Sequence, residues 1–475
     1  AMSVYHLYAR LTTYAPDQHA LLFITLGFSL VLSFLLWPAR KDGTPERIPW
    51  SDLCLAALSL GCVAYMFVNY EYIVSRFPTA HPLTAMDMAV GTVGILLVLE
   101  ATRRTIGMSL PIVAIVFLVY ALGGNWLVGF LHHRGLTAEI TIDQSWFTTE
   151  GVFGVPLQVA GTYVILFIIF GTFLERSGAG QFFMNFANAI AGGARGGPGK
   201  VAVVSSSLFG TISGPALAKV MVDGWLTIPM MKKTGFKPEA AAAIEAVAST
   251  GGQIMPPIMG AAAFVMAEFL GASYTEIMVA AAIPAVFYYG ALFAAIHFNA
   301  VRSGLKGLPR EELPVLRYIM VKQAHLFLPV IVLLALLLMG FTPTYGAIIA
   351  TGALVAISWL RPATGLGARA CLEALRDGAV HTVPVAMACA SAGIVIGIVL
   401  QTGLALRFTA FLVELTYGYL VLALLITMVA SIILGMGMPT TPAYIMQAVL
   451  LVAAIIKLGV APTAAHFFAF YFSCL

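Results

Sequence analysis

Two stretches rich in Gly, Ser, Thr and Pro interrupt apolar segments at matching places in two halves of the chain. The first is FGTISGPALA (209–218), followed by EAVASTGGQIMPPIMG (245–260). The second is LGMGMPTTPA (434–443), followed by FFAFYFSCL (467–475). Ser213-Gly214-Pro215-Ala216 aligns with Thr440-Thr441-Pro442-Ala443, and Gly235-Phe236-Lys237-Pro238 with Gly459-Val460-Ala461-Pro462. Ser249 then falls on Ser473. Broken helices at corresponding positions of two halves point to a midplane binding site in a secondary transporter.

The surrounding composition is that of a membrane protein. The chain is 60% hydrophobic and 10% charged, against about a quarter charged for a soluble domain. Runs such as 21–37, 53–70 and 326–339 approach or reach spanning length. The polar start AMSVYHLYARLTTYAPDQHA is not a charged cap on a short apolar core, so no cleavable signal peptide is evident. The five cysteines lack metal-ligand spacing and read as small buried residues. The net charge of +4 gives no reason to expect nucleic acid, because the basic residues sit in short loops.

Those loops orient the chain. With the 38–50 loop in the cytoplasm and both broken segments returning to their own side, nineteen of the 25 Lys and Arg residues are cytoplasmic. Five are outside, and Lys219 lies within a membrane segment. This is a strong positive-inside bias. It places Lys232 in the cytoplasm and Lys457 outside, in a bacterial or archaeal cell (inner) membrane.

The expected fold is an all-α, polytopic membrane bundle with two inverted repeats, each with a re-entrant hairpin and a broken helix. Residues 1–135 hold four ordinary spans, near 20–37, 51–70, 84–102 and 107–128, and read as scaffold. Residues 136–154 read as an amphipathic connector. Residues 155–475 form the transport domain, with repeat 1 over about 155–300 and repeat 2 over about 325–475. In repeat 1 a span at 156–176 leads through a surface helix at 179–191 to a hairpin at 199–232 and a broken span at 238–268. Plain spans follow near 276–300, 325–340 and 345–361. In repeat 2 a span at 380–402, a surface helix near 406–416 and a hairpin at 418–457 precede a broken span opening at 462.

Helix ends at such breaks expose backbone groups without intrahelical partners. In lipid these survive only where they are buried in protein or line a cavity. Carbonyl and hydroxyl oxygens suit a hard cation such as sodium, and half-helix N-termini suit an anion. The competing reading is that Gly and Pro only kink helices or let them approach closely; four matched features weigh against it.

GTYVILFIIFGTFLERSGAG (161–180), residues 199–218, PEAAAAIEAVASTGGQIMPPIMGAAAFVMAE (238–268) and LLVLEATRRTIGMSLPIVAIVFLVYALGG (96–124) resemble the fused membrane component of tripartite ATP-independent periplasmic (TRAP) transporters. Within them, the chain is similar to permeases paired with TAXI-type binding proteins. The resemblance implies an elevator-type, sodium-coupled importer that takes a small organic acid from a periplasmic binding protein, with Na+ as coupling ion and no organic cofactor. It implies that residues 1–135 correspond to the small subunit. It implies a first sodium site from Ser213, Gly214, Ser249, Gly251 and Gly252, and a second from Gly435, Gly437, Thr440, Thr441 and Ser473. Substrate contacts are expected from Ser213, Gly214, Pro215, Thr250, Gly252, Thr440 and Thr441, with Lys219 as a further candidate.

The chain departs from that pattern in two places. Lys219 stands where the family has Asn; it pairs with Asp223 one turn on, or meets a substrate carboxylate. The chain also ends at Leu475, where the repeat alignment next places the counterpart of Gly252–Pro257. A C-terminally truncated form is therefore expected.

Other readings fit less well. AGGARGGPGKV (191–201) has Ala194 and Val201 where a phosphate loop needs Gly and Ser/Thr, and reads as a flexible turn. An intramembrane serine hydrolase would need His297, His325 or His381 within reach of Ser213, yet these sit at helix ends. His132-His133 lacks a third ligand, and Glu175 and Glu268 lie near span ends. The alternative that remains is a stand-alone sodium-coupled carboxylate transporter without a binding protein.

Overall fold

Long apolar runs with polar residues at their heads become long helices. Asp17 caps Gln18–Leu36, its carboxylate accepting the His19 N–H at 3.1 Å. Thr84 and Asp87 close a reciprocal capping box on Ala85–Thr105. The Thr84 hydroxyl accepts the Asp87 N–H at 3.1 Å, and the Asp87 carboxylate accepts the Thr84 N–H at 2.9 Å. The structure, a computed structural model, describes residues 1–12, 16–39, 49–78, 81–212, 216–362 and 364–474. Among the described residues there is no strand, and nine helices are long and apolar enough to cross a membrane. The four spans expected before residue 135 are the helices Gln18–Leu36, Trp50–Val68, Ala85–Thr105 and Ser109–Gly123.

Four features go beyond the sequence expectation. The polar start contains a helix, Met2–Leu11, which buries Met2, Ser3, His6 and Ala9 on one stripe. His6 lies 2.9 Å from the Met2 carbonyl and 3.0 Å from the Thr25 hydroxyl. Burial pushes its ring down to about 4, so it stays neutral. The connector is largely buried: all five residues of Asp143–Phe147 are buried, and the Trp146 ring fills the space that a side chain at Gly94 would need. The span expected to begin at 380 begins at Ala368. Its charged first turns are held by Arg176, which pairs with Glu373 and Asp377. The Gly-rich turn after Ala191 is hydrogen-bonded, with Gly197 N–H donating to the Ala194 carbonyl at 2.8 Å. Its Lys200 donates to His297 at 3.0 Å.

The chain divides into two compact units. The first combines Ala1–Val164 with Ala379–Ser473. Its core joins Leu22, Leu26, Leu30 and Phe34 to Val98, Trp146, Met387 and Ile394. The Thr102 hydroxyl ties this core together, 2.7 Å from the Ser391 hydroxyl and 3.1 Å from the Met387 carbonyl. Two buried ion pairs, Arg76–Asp143 and Arg104–Asp52, the latter at 2.9 Å, fix the ends of its helices. The second unit is Ile165–Gly378 with Cys474–Leu475. Phe182, Phe183 and Phe186 of Ala179–Ala191 gather around Phe327 there. Each unit contains one of the two breaks.

Candidate functional site

The first break lies in the second unit. Gly197–Gly210 runs in and Ala216–Lys233 runs out, and both pack on Pro238–Gly251. The tip residues Ser213, Gly214 and Pro215 lie outside the described residues. Gly197–Gly210 has 14 residues, which is about 21 Å of helix, short of a hydrocarbon core of about 30 Å. Where the incoming helix meets Pro238–Gly251, the two backbones touch. A Cβ on Gly210 would fall 2.7 Å from the Gly252 Cα and 3.0 Å from the Met255 Cβ. Glycine is required at both positions by this approach.

Pro238–Gly251 ends in a tightened turn. Gly252, Gln253 and Ile254 donate to the Ser249, Thr250 and Gly251 carbonyls at 3.3, 3.0 and 3.2 Å. One turn earlier, the Tyr288 and Tyr289 hydroxyls cap the Val247 and Ala248 carbonyls at 2.9 and 3.2 Å. The expected bare carbonyls therefore each hold one bond and keep one lone pair. Ser249 is buried and donates to Glu245 at 3.1 Å. Glu245 also accepts from the Thr227 hydroxyl. Thr250 returns its hydroxyl to Ala246 of its own helix at 2.8 Å. Among the expected residues, Ser249, Gly251, Gly252 and Lys219 are thus brought together.

Lys219 and Asp223 are both buried, yet the Lys219 ammonium and Asp223 Oδ2 each lack a hydrogen-bond partner. The expected closed ion pair is not formed. A Cβ built on Gly252 would run into the Lys219 ammonium, so that ammonium lies directly against the break.

The second break lies in the first unit. Leu420–Gly435 is followed by a short turn and by Thr440–Gln447. Gly437 has φ of +76°, the left-handed region that favours glycine. Gly435 faces the end of Pro462–Ser473: a Cβ there would sit 3.7 Å from the Ser473 Cα and backbone oxygen. Gly435 and Ser473, expected at one site, are therefore neighbours. Gln447 is buried and links the elements. Its amide donates to the Ser431 carbonyl at 2.8 Å, and its oxygen accepts from Ser473 at 2.9 Å. Behind it, the Tyr444 hydroxyl meets the His466 ring at 2.7 Å. Thr440 is buried and Thr441 half-buried at the head of the outgoing helix. The Gly437 carbonyl is engaged by the Ser109 hydroxyl at 2.5 Å.

Sequence reasoning missed Gln447 and the two tyrosines. A glutamine inside an apolar hairpin and a Tyr-Tyr pair within a span both carry polar atoms that need partners in lipid. That need was the available signal.

Residues 93–475 match the model of the family described as tripartite ATP-independent periplasmic transporter, DctM component. A putative TRAP transporter large permease protein of Haemophilus influenzae is 26% identical over 297 residues, covering 62% of this chain and 69% of that protein. The C4-dicarboxylate TRAP transporter large permease protein DctM of Pseudomonas aeruginosa is 29% identical over 227 residues, 46% of this chain and 52% of its own length. The sialic acid TRAP transporter large permease protein SiaM of Vibrio cholerae is 28% identical over 194 residues, with 40% and 44% covered. The chain thus spans about half the length of most of these curated relatives. The matched region contains both breaks, and the chain belongs to the DctM-component family of tripartite ATP-independent periplasmic transporters, a family of transporter permeases and not of enzymes.

Proposed function

We propose that this chain is the membrane component of a secondary transporter that imports a small organic acid across a bacterial inner membrane. A periplasmic binding protein, of the TAXI type, delivers the substrate, and residues 1–135 do the work of a small subunit. The observation that carries the reading is the family match through both breaks. The names of the relatives, C4-dicarboxylate and sialic acid permeases, support an acidic substrate. Each break is a cation site, with sodium as the coupling ion. The two hairpins are re-entrant and move with the broken helices as an elevator. Thr440 and Thr441 at the head of one outgoing helix, with Ser213 to Pro215 and the Thr250–Gly252 break, contact the substrate. Helix N-termini there favour its carboxylate.

The test is reconstitution into liposomes with a TAXI-type periplasmic binding protein, using radiolabelled C4-dicarboxylates as first probes. Uptake should require both the binding protein and an inward sodium gradient. Equal uptake without the binding protein would instead support a stand-alone carboxylate transporter. Single cysteines at 232 and 457 test the orientation. Position 232 should label only from the cytoplasmic side and position 457 only from outside; labelling of 232 from outside inverts the topology.

A further inference from the structure

At the first break a lysine is already built into the protein. Lys219 is 2% exposed, and its ammonium has no hydrogen-bond partner. It lies against Gly252 at the C-terminal end of Pro238–Gly251. A helix C-terminus carries partial negative charge and favours cations. The Ser249, Thr250 and Gly251 carbonyls there each keep a lone pair beyond their turn bond. Asp223, one turn along the outgoing helix, is buried beside Lys219, and Glu245 on the facing helix is buried near Asp223. Ser206, one turn before Gly210, holds a buried hydroxyl without a partner. Carbonyls, carboxylates and a hydroxyl around a helix end are what a bound cation requires.

We propose that the Lys219 ammonium is itself the cation of the first break, so that this break takes no free sodium ion. The proposal rests on reading the breaks as cation sites and changes the occupant of one of them. The second repeat offers no such group. Three and seven residues after Ala216 stand Lys219 and Asp223; three and seven after Ala443 stand Met446 and Leu450. Four residues before Ser249 is Glu245, and four before Ser473 is Ala469. A cation at the second break must come from solution.

Equilibrium binding of radiolabelled sodium to the purified chain in detergent tests this. Measurements are made at several pH values from about 6 to 9, so that the buried lysine and carboxylates are sampled in their charged forms. Lys219→Ala should bind one more sodium ion per chain than the wild type, because the carbonyls and the Asp223 and Glu245 carboxylates then lack their cation. Lys219→Arg, which keeps the charge, should bind as the wild type does. Equal stoichiometry in wild type and a folded Lys219→Ala overturns the proposal. Lys219→Met, closer in volume, serves where the alanine variant misfolds. Ser249→Ala in the wild-type background gives a second readout. Its sodium affinity should stay within about twofold, whereas loss of a coordinating contact costs about fivefold; such a loss also overturns the proposal. Should the wild type bind no sodium while Lys219→Ala binds one ion, the proposal stands and sodium coupling at the second break fails.

Discussion

The two breaks share a backbone plan and differ in what fills it. At the first, Lys219, Asp223 and Glu245 are all buried, and the lysine makes no hydrogen bond. At the second, the matching positions are Met446, Leu450 and Ala469, and the polarity comes from Gln447 instead. Gln447 reaches both Ser431 and Ser473. Val220 takes the place of that glutamine in the first repeat. One break therefore carries ionisable groups, and the other is neutral and bridged by Gln447, although the Ser431 hydroxyl there has no partner. Similar helix ends can be completed by a tethered ion or left open to a dissolved one, and side chains one turn from the tip decide which.

The largest effect expected from breaking this contrast is Met446→Lys. Met446 is 1% exposed, with no carboxylate at the matching positions 450 and 469. An unpaired ammonium there costs several kcal/mol or more, roughly. The variant should fail to accumulate as a monodisperse protein in detergent, while Met446→Leu should lie within about 1.5 kcal/mol of wild type. A well-folded Met446→Lys would mean that the second break tolerates a tethered cation as the first does.

Gln447→Leu comes next. It removes the Gln447 amide from the Ser431 carbonyl and leaves the Ser473 hydroxyl only its bond to the Ala469 carbonyl. About 2–3 kcal/mol of stability should be lost, read as a lower unfolding midpoint in a fixed detergent. Glycine substitutions then separate the breaks sterically. Alanine at 252 meets the Lys219 ammonium and stands 3.0 Å from the Gly210 Cα, which cannot yield without moving a helix. About 1–3 kcal/mol should be lost. Alanine at 435 finds its nearest neighbours at 3.7 Å, an ordinary contact. It should change stability by no more than about 0.5 kcal/mol. Equal costs at 252 and 435 would remove the steric half of the comparison.

Much of this was legible before any coordinates. The spans follow from hydrophobic run length, and the family resemblance had implied one site for Gly435 and Ser473, which the structure places as neighbours. Lys219 was conspicuous as a charge within an apolar segment. What it touches was not legible, because Gly252 is close to it only through the crossing of two helices distant in sequence. The helix Met2–Leu11 was hidden for a related reason. Its buried stripe includes Ser3 and His6, which look like surface residues until Thr25 supplies a partner. Burial of Asp143–Phe147 likewise depends on the space opened at Gly94, a tertiary fact that local periodicity does not carry.

A variant with little expected net effect on stability is the most informative about purpose. Lys219→Met combined with Asp223→Leu writes the second repeat's residues into the first break. Removing either charge alone would strand the other in a buried site. Removing both exchanges two desolvated ionic groups for apolar side chains that fit a membrane helix. Replacing buried ionic groups together by apolar residues is often neutral or stabilising. The double variant should therefore unfold within about 1 kcal/mol of wild type, or slightly above it. If these charges hold the fold together, the double variant will instead lose several kcal/mol, and Lys219 is a structural group. If they serve as a cation site, stability will hold while transport changes, because the first break then has neither its own cation nor the Asp223 carboxylate to attract another. Unfolding midpoints and sodium-driven uptake measured on the same preparation distinguish the two outcomes.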